Sequence, residues 1–270
     1  MHLSDCFSFT GPYNEKVMAR IIAVCNQKGG VGKTTTSVNL GAYLAAQGKY
    51  VLLVDLDSQA NATLGLGMEV EPTAQNVYHS LVSDANPLPM VRKTSIFGYD
   101  ILPAAQSLAG ATVELVSMEE REYRLRRALN HLRNNYDYIL IDCPPSLGLL
   151  TINALVASDH VLIPVQCEYY ALEGLGQLMR TIDLVRGGIN PDLGVLGVVL
   201  TMHDKRIQLS RQVVNEVMNN FPGRVFQAVI PRVISVAEAP SFGKTILQHD
   251  PAGKAAMAYR HLAEEIMRLG

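Results

Sequence analysis

A chain of 270 residues, 48% hydrophobic and 18% charged, has the length and composition of one globular domain. Its 23 basic and 25 acidic side chains leave a formal net charge of −2, which excludes a protein held on nucleic acid by its overall field, so any DNA contact must be local. Aromatic residues are only 6% and Trp is absent, which argues against base stacking on a ring-lined surface. No run of about 18 uncharged apolar residues signals a membrane-crossing helix.

Residues 1–19 lack helical or strand periodicity and are expected to form a flexible arm ahead of a single domain over 20–270. Without a basic stretch followed by an apolar one, the arm does not read as a secretory signal. From Arg20 onward, short runs rich in Val, Ile and Leu alternate with segments of helical period. The spacing predicts strands over 21–25, 51–54, 99–102, 138–141, 160–165 and 195–200, and helices over 33–47, 119–134, 147–157, 172–187, 208–220 and 253–268. Such alternation implies an α/β fold: a mostly parallel twisted sheet with helices on both faces, whose ligands bind at the carboxyl ends of the strands. Within 119–134, Glu120 precedes Arg124 and Glu122 precedes Arg126 by four residues, so these arginines are expected on a solvated helix face rather than in a nucleic-acid patch. Cys6, Cys25, Cys143 and Cys167 show no metal-ligand spacing and no disulfide framework. The last three adjoin apolar runs and are expected to be small core residues in a reducing, cytoplasmic setting.

Lys28-Gly29-Gly30-Val31-Gly32-Lys33-Thr34-Thr35 directly follows a predicted strand and opens a helix. Three glycines let successive N–H groups turn toward phosphate oxygens, and the helix N-terminus adds partial positive charge. Lys33 is spaced to reach outer phosphates and the Thr34 hydroxyl to ligate Mg²⁺, so the fold class narrows to the P-loop NTPase type. Gln27 occupies the usual first glycine position and a second lysine, Lys28, follows it. Downstream, Asp57 lies just past the second predicted strand and Asp142 follows Ile139-Leu140-Ile141, each a carboxylate at a strand's carboxyl end, expected across from the loop.

Asn26 to Thr35 resembles the deviant phosphate loop of the ParA/MinD ATPases, closest to the chromosomal ParA partition proteins, and the resemblance extends from about Ile21 to the C-terminus. It implies ATP and Mg²⁺ as ligands, with residues 28–35 cradling the nucleotide and Lys28 acting catalytically across a nucleotide-sandwich homodimer. Leu53 to Asn61 is similar to the family's D-x-D-P-Q-x-N segment, which gives Asp57 a water-positioning role and a share in the magnesium shell beside Thr34 and Asp142. Ser58 stands where the family has Pro, which is expected to loosen that loop. Pro164 to Gly174 resembles the segment bordering the nucleotide, which implicates Glu168. Val229 to Arg232 resembles the strand end beside adenine, which implicates Pro231 and Arg232, with Val233 and Ser235 in place of a polar and a basic residue.

By the same resemblance, the ATP-bound dimer binds nonspecific DNA and a ParB-like centromere-binding protein stimulates hydrolysis, which implies a cytoplasmic, nucleoid-associated partition ATPase. Residues 201–270 carry nine Lys and Arg against six Asp and Glu, and Lys205, Arg206, Arg211, Arg232 and Lys244 are the candidate DNA contacts. The alternative is a slow or non-hydrolysing scaffold that positions another cargo, such as a chemotaxis cluster or microcompartment. The tail from Arg260 to Gly270 contains Glu264 and Glu265 and does not make the basic amphipathic helix that membrane binding of the MinD type requires.

Overall fold

Strands buried on both faces read as continuous apolar runs, and this chain folds around several of them. A computed structural model describes residues 18–71, 73–168 and 171–269. The strands are β1 (Arg20–Val24), β2 (Val51–Asp55), β3 (Arg92–Lys93), β4 (Tyr99–Leu102), β5 (Tyr138–Asp142), β6 (His160–Gln166), β7 (Gly194–His203) and β8 (Val225–Pro231). They form one sheet in the order β3-β4-β2-β5-β1-β6-β7-β8, parallel throughout except for the edge pair β3–β4. The α-helices are α1 (Lys33–Ala46), α2 (Asn61–Gly65), α3 (Val77–Val82), α4 (Leu108–Glu114), α5 (Arg124–Asn130), α6 (Leu149–Ala157), α7 (Ala171–Gly188), α8 (Gln208–Asn220), α9 (Ile234–Glu238), α10 (Ile246–His249) and α11 (Lys254–Met267).

Alternate residues of each strand face opposite sides of the sheet. In β1, Ile21 and Ala23 join the core beneath α3 to α8, whereas Ile22 and Val24 join the core beneath α1, α2, α10 and α11. The apolar side of α11 is consumed there, with Leu262, Ala263 and Ile266 fully buried. Among the described residues no helix is long and apolar enough to cross a membrane.

Three expectations change. Ala19 is 1% exposed and its N–H donates to the Arg133 carbonyl at 3.0 Å, so ordered packing already includes a residue assigned to the arm; residues 1–17 lie outside the described residues. The helix expected over 119–134 spans only Arg124–Asn130, because Glu120 adopts a φ of 48° and turns the chain just before it. The i,i+4 pairs therefore do not form: Glu120 pairs with Arg127, Glu122 with Arg121, and Arg124 with Asp84. Finally, β8 begins at Val225, four residues before the segment read from sequence, and β3, α2, α3, α4, α9 and α10 are additional.

Candidate nucleotide site

The loop between β1 and α1 lies at the carboxyl end of the sheet, with β1 flanked by β5 and β6. Asn26 pins it at one side: its Nδ2 donates to the Pro164 carbonyl at 2.7 Å and its Oδ1 accepts the Lys28 N–H at 3.0 Å. Thr201 pins the other, donating through Oγ1 to the Val31 carbonyl at 2.8 Å. Gly30 and Gly32 take φ values of 74° and 85°, backbone that only glycine adopts without strain, and Gly32 leads directly into α1. The Lys33 side chain is 6% exposed and its Nζ donates to the Lys28 carbonyl at 3.2 Å, which holds the ammonium within the loop.

Beneath this loop lie two fully buried carboxylates, Asp55 and Asp142, paired in register on β2 and β5. Asp55 accepts the Thr63 N–H and hydroxyl at 2.9 and 2.7 Å and the Asp57 N–H at 3.1 Å, fastening the start of α2 to the strand tip. Among the described residues Asp142 accepts the Ser37 hydroxyl at 2.9 Å through Oδ1, the Thr34 hydroxyl lies beside the carboxylate, and its buried Oδ2 has no hydrogen-bond partner. Burial first, and then the neighbouring Asp55 carboxylate, push the Asp142 pKa up to about 7; burial pushes Asp55 up to about 6. A buried acceptor without a donor, beside the hydroxyl of Thr34, fits a hard cation with oxygen ligands. With the Thr34 hydroxyl beside it, the Asp142 carboxylate makes a partial oxygen shell of the kind that suits magnesium bound together with phosphate oxygens.

Asp57 is half-buried two residues past the end of β2, and its Oδ1 accepts the Gln59 N–H at 3.0 Å, closing a turn that places Ala60 at a φ of 52°. Lys28 pairs within its own chain with Glu168 at 3.2 Å; Gln166 Nε2 donates to the other Glu168 oxygen at 2.6 Å. Tyr169 and Tyr170 of that segment lie outside the described residues. A cavity of ≈ 560 Å³ runs from Gly32 and Thr35 to Ile230, Pro231, Arg232 and Val233. It joins the phosphate loop to the predicted base-side strand end in one space of nucleotide size. Arg206 also borders this cavity, and Lys244 borders a smaller one beside Thr34, Thr35 and Asn61. Lys205 and Arg211 are exposed around the start of α8. Cys25 and Cys143 are each 1% exposed and Cys167 5%, so all three are core residues as expected; they lie at the tips of β1, β5 and β6.

The sequence alone does not assign roles to Asp55, Ser37 and Asn26. Their roles depend on the register of β2 against β5 and on the approach of α1 to β5; only the acid at the second strand's end was a visible signal.

This fold and loop define a P-loop nucleotide-binding protein. An AAA domain family profile matches residues 19–195. The chain is 56% identical over 253 residues to the sporulation initiation inhibitor protein Soj of Bacillus subtilis, covering 94% of this chain and 100% of that protein. It is 50% identical over 251 residues to the chromosome partitioning protein ParA of Myxococcus xanthus, covering 93% and 89%. Among solved structures, cobyrinic acid a,c-diamide synthase from Mycobacterium smegmatis with bound ATP analogue and magnesium superposes with a TM-score of 0.82 at 41% identity, over 93% of this chain and 95% of that one. The chain belongs to the ParA/MinD family of ATPases, alongside Soj and ParA.

Proposed function

We propose that this protein is an ATP-dependent DNA-partition switch: ATP and Mg²⁺ promote a sandwich homodimer that binds nonspecific DNA, and partner-stimulated hydrolysis returns monomers. The observation that carries the reading is the pairing of a buried loop lysine, Lys33, with a second, more exposed one, Lys28, whose ion-pair partner among the described residues is the half-exposed Glu168 carboxylate. Lys33 and the loop amides hold the phosphates of one nucleotide, whereas Lys28 can exchange Glu168 for the phosphates bound by a second protomer, stabilising charge that grows during transfer. Thr34 and Asp142 would hold magnesium, with Asp57 reaching it through water; the ion supplies charge neutralisation at the outer phosphates. Asp57, just past the tip of β2, orients the attacking water. Pro231 and Arg232 border the base. The nucleotide biases assembly only through contacts that exist in the dimer and not in the monomer.

Replacing Asp57 by Ala is expected to preserve ATP-dependent doubling of mass in light scattering while lowering phosphate release at least about tenfold, the loss of a positioned water. Normal turnover in that variant would reject the assignment. Lys28→Gln should keep ATP binding, measured by equilibrium dialysis, and lose the mass increase, the hydrolysis, or both; a variant that keeps both removes the exchange mechanism. Hydrolysis measured with and without duplex DNA and a ParB-like protein separates this switch from a non-hydrolysing scaffold. The arm assigned to residues 1–19 has no role in this scheme, and nucleoid association follows from the DNA-bound state.

A further inference from the structure

Arg206 sits between β7 and α8 with its side chain 89% exposed, yet its charge is already engaged. Its Nε donates to Asp204 Oδ1 at 3.0 Å, its Nη2 to Oδ2 at 2.8 Å, and its backbone N–H to Oδ1 at 3.0 Å. Asp204 is fixed from behind, since its own N–H donates to the Ser210 hydroxyl at 3.2 Å, and Ser210 is 3% exposed on α8. The neighbouring Lys205, Arg211 and Arg232 are exposed and have no ion-pair partner among the described residues. One guanidinium in a basic surface cluster is thus neutralised, by a carboxylate whose two coplanar oxygens meet the guanidinium fork in the arrangement that two phosphate oxygens would adopt. Arg206 holds the Asp204 carboxyl down at about 2, so the competitor stays ionised at any pH near neutrality.

We infer that Asp204 is an internal competitor of the DNA phosphate for Arg206, and that it keeps the affinity of a single protomer for DNA low. The inference rests on the DNA-binding reading above. Its size is bounded by the weakness of exposed ion pairs: releasing Arg206 strengthens DNA binding by about two- to fivefold per protomer. Because a homodimer presents the arginine twice on one duplex, the gain there becomes about four- to 25-fold.

The test is fluorescence anisotropy of a random-sequence duplex with the full-length protein and ATP, comparing wild type, Asp204→Asn, Asp204→Ser, Arg206→Gln and Asp204→Asn/Arg206→Gln. Asp192→Asn, an exposed carboxylate on a different loop, controls for net charge, and melting curves confirm that each variant is folded. The expected result is tighter binding by both Asp204 variants, no gain in the double variant over Arg206→Gln, and less than about a twofold change in the control. Unchanged binding in both Asp204 variants, a gain that survives in the double variant, or an equal gain from Asp192→Asn overturns the inference while leaving the DNA-binding reading intact. If neither wild type nor the Asp204 variants bind DNA, both fail together.

Discussion

Asp142 brings a carboxylate into the interior with one oxygen hydrogen-bonded to Ser37 and the other without a hydrogen-bond partner among the described residues. Without bound cation or nucleotide, an acid in that position is more stable protonated. Its folded pKa of about 7, and that of about 6 for Asp55, both lie above the ordinary 3.8. Between pH 4 and 7 the folded protein therefore holds more protons than the unfolded chain, and stability falls as pH rises through that window, with the loss complete above it. The melting temperature of the nucleotide-free protein in chelator should decline from pH 5 to pH 8, and Asp142→Asn should flatten the decline. A wild-type profile that rises over the same range would show that the two acids are not strained. Binding at the site then releases a cost already present in the resting fold, so ligand and magnesium should stabilise most at the alkaline end.

Between the site and the basic surface run short elements whose backbones are tightly constrained. Ala60, the N-cap of α2, sits at a φ of 52°, where a Cβ is costly. Ala60→Gly should raise stability by about 0.5–1 kcal/mol, a net of strain removed and unfolded-state entropy gained, read as a shift of a few degrees in melting. Gly67 and Gly243 face one another with φ of 72° and 60°, and a Cβ built on Gly243 would lie 2.6 Å from the Gly67 Cα. Gly243→Ala should cost about 2–4 kcal/mol, combining left-handed strain with backbone overlap, and a neutral outcome in urea titration would refute the close packing. The long helices are legible because their apolar period persists over many residues, and α8 matches its predicted range of 208–220; short buried strands are legible as brief apolar runs, and β4 matches its range of 99–102. The short helices are not, since four to seven residues carry no helical period. Two of them did carry a readable cue, the capping boxes of Asn76 with His79 before α3 and of Thr245 with Gln248 before α10. The phosphate loop was legible as a contiguous motif. The Asp55–Asp142 pair was not, because only strand register brings residues 87 positions apart together.

For the whole molecule, near-neutral net charge with a basic excess in its last 70 residues suits binding that depends on assembly. If Arg211 contacts phosphate, Arg211→Gln should reduce the slope of log affinity against log salt by about 0.9 per protomer, near two for a dimer on duplex DNA. An unchanged slope with weaker binding would assign Arg211 an indirect role. The three described cysteines have a separate consequence. Burial raises the Cys167 thiol to about 11, and contact with Cys25 together with burial holds the Cys143 thiol well above its ordinary value. Alkylating reagents react with thiolate, so neither group is labelled while the native state stays closed. Because Cys143 adjoins Asp142 at the nucleotide end, its modification rate in native buffer is a clock for opening events there. Ligand that stabilises the closed state should slow that clock by the factor through which it depletes the open population.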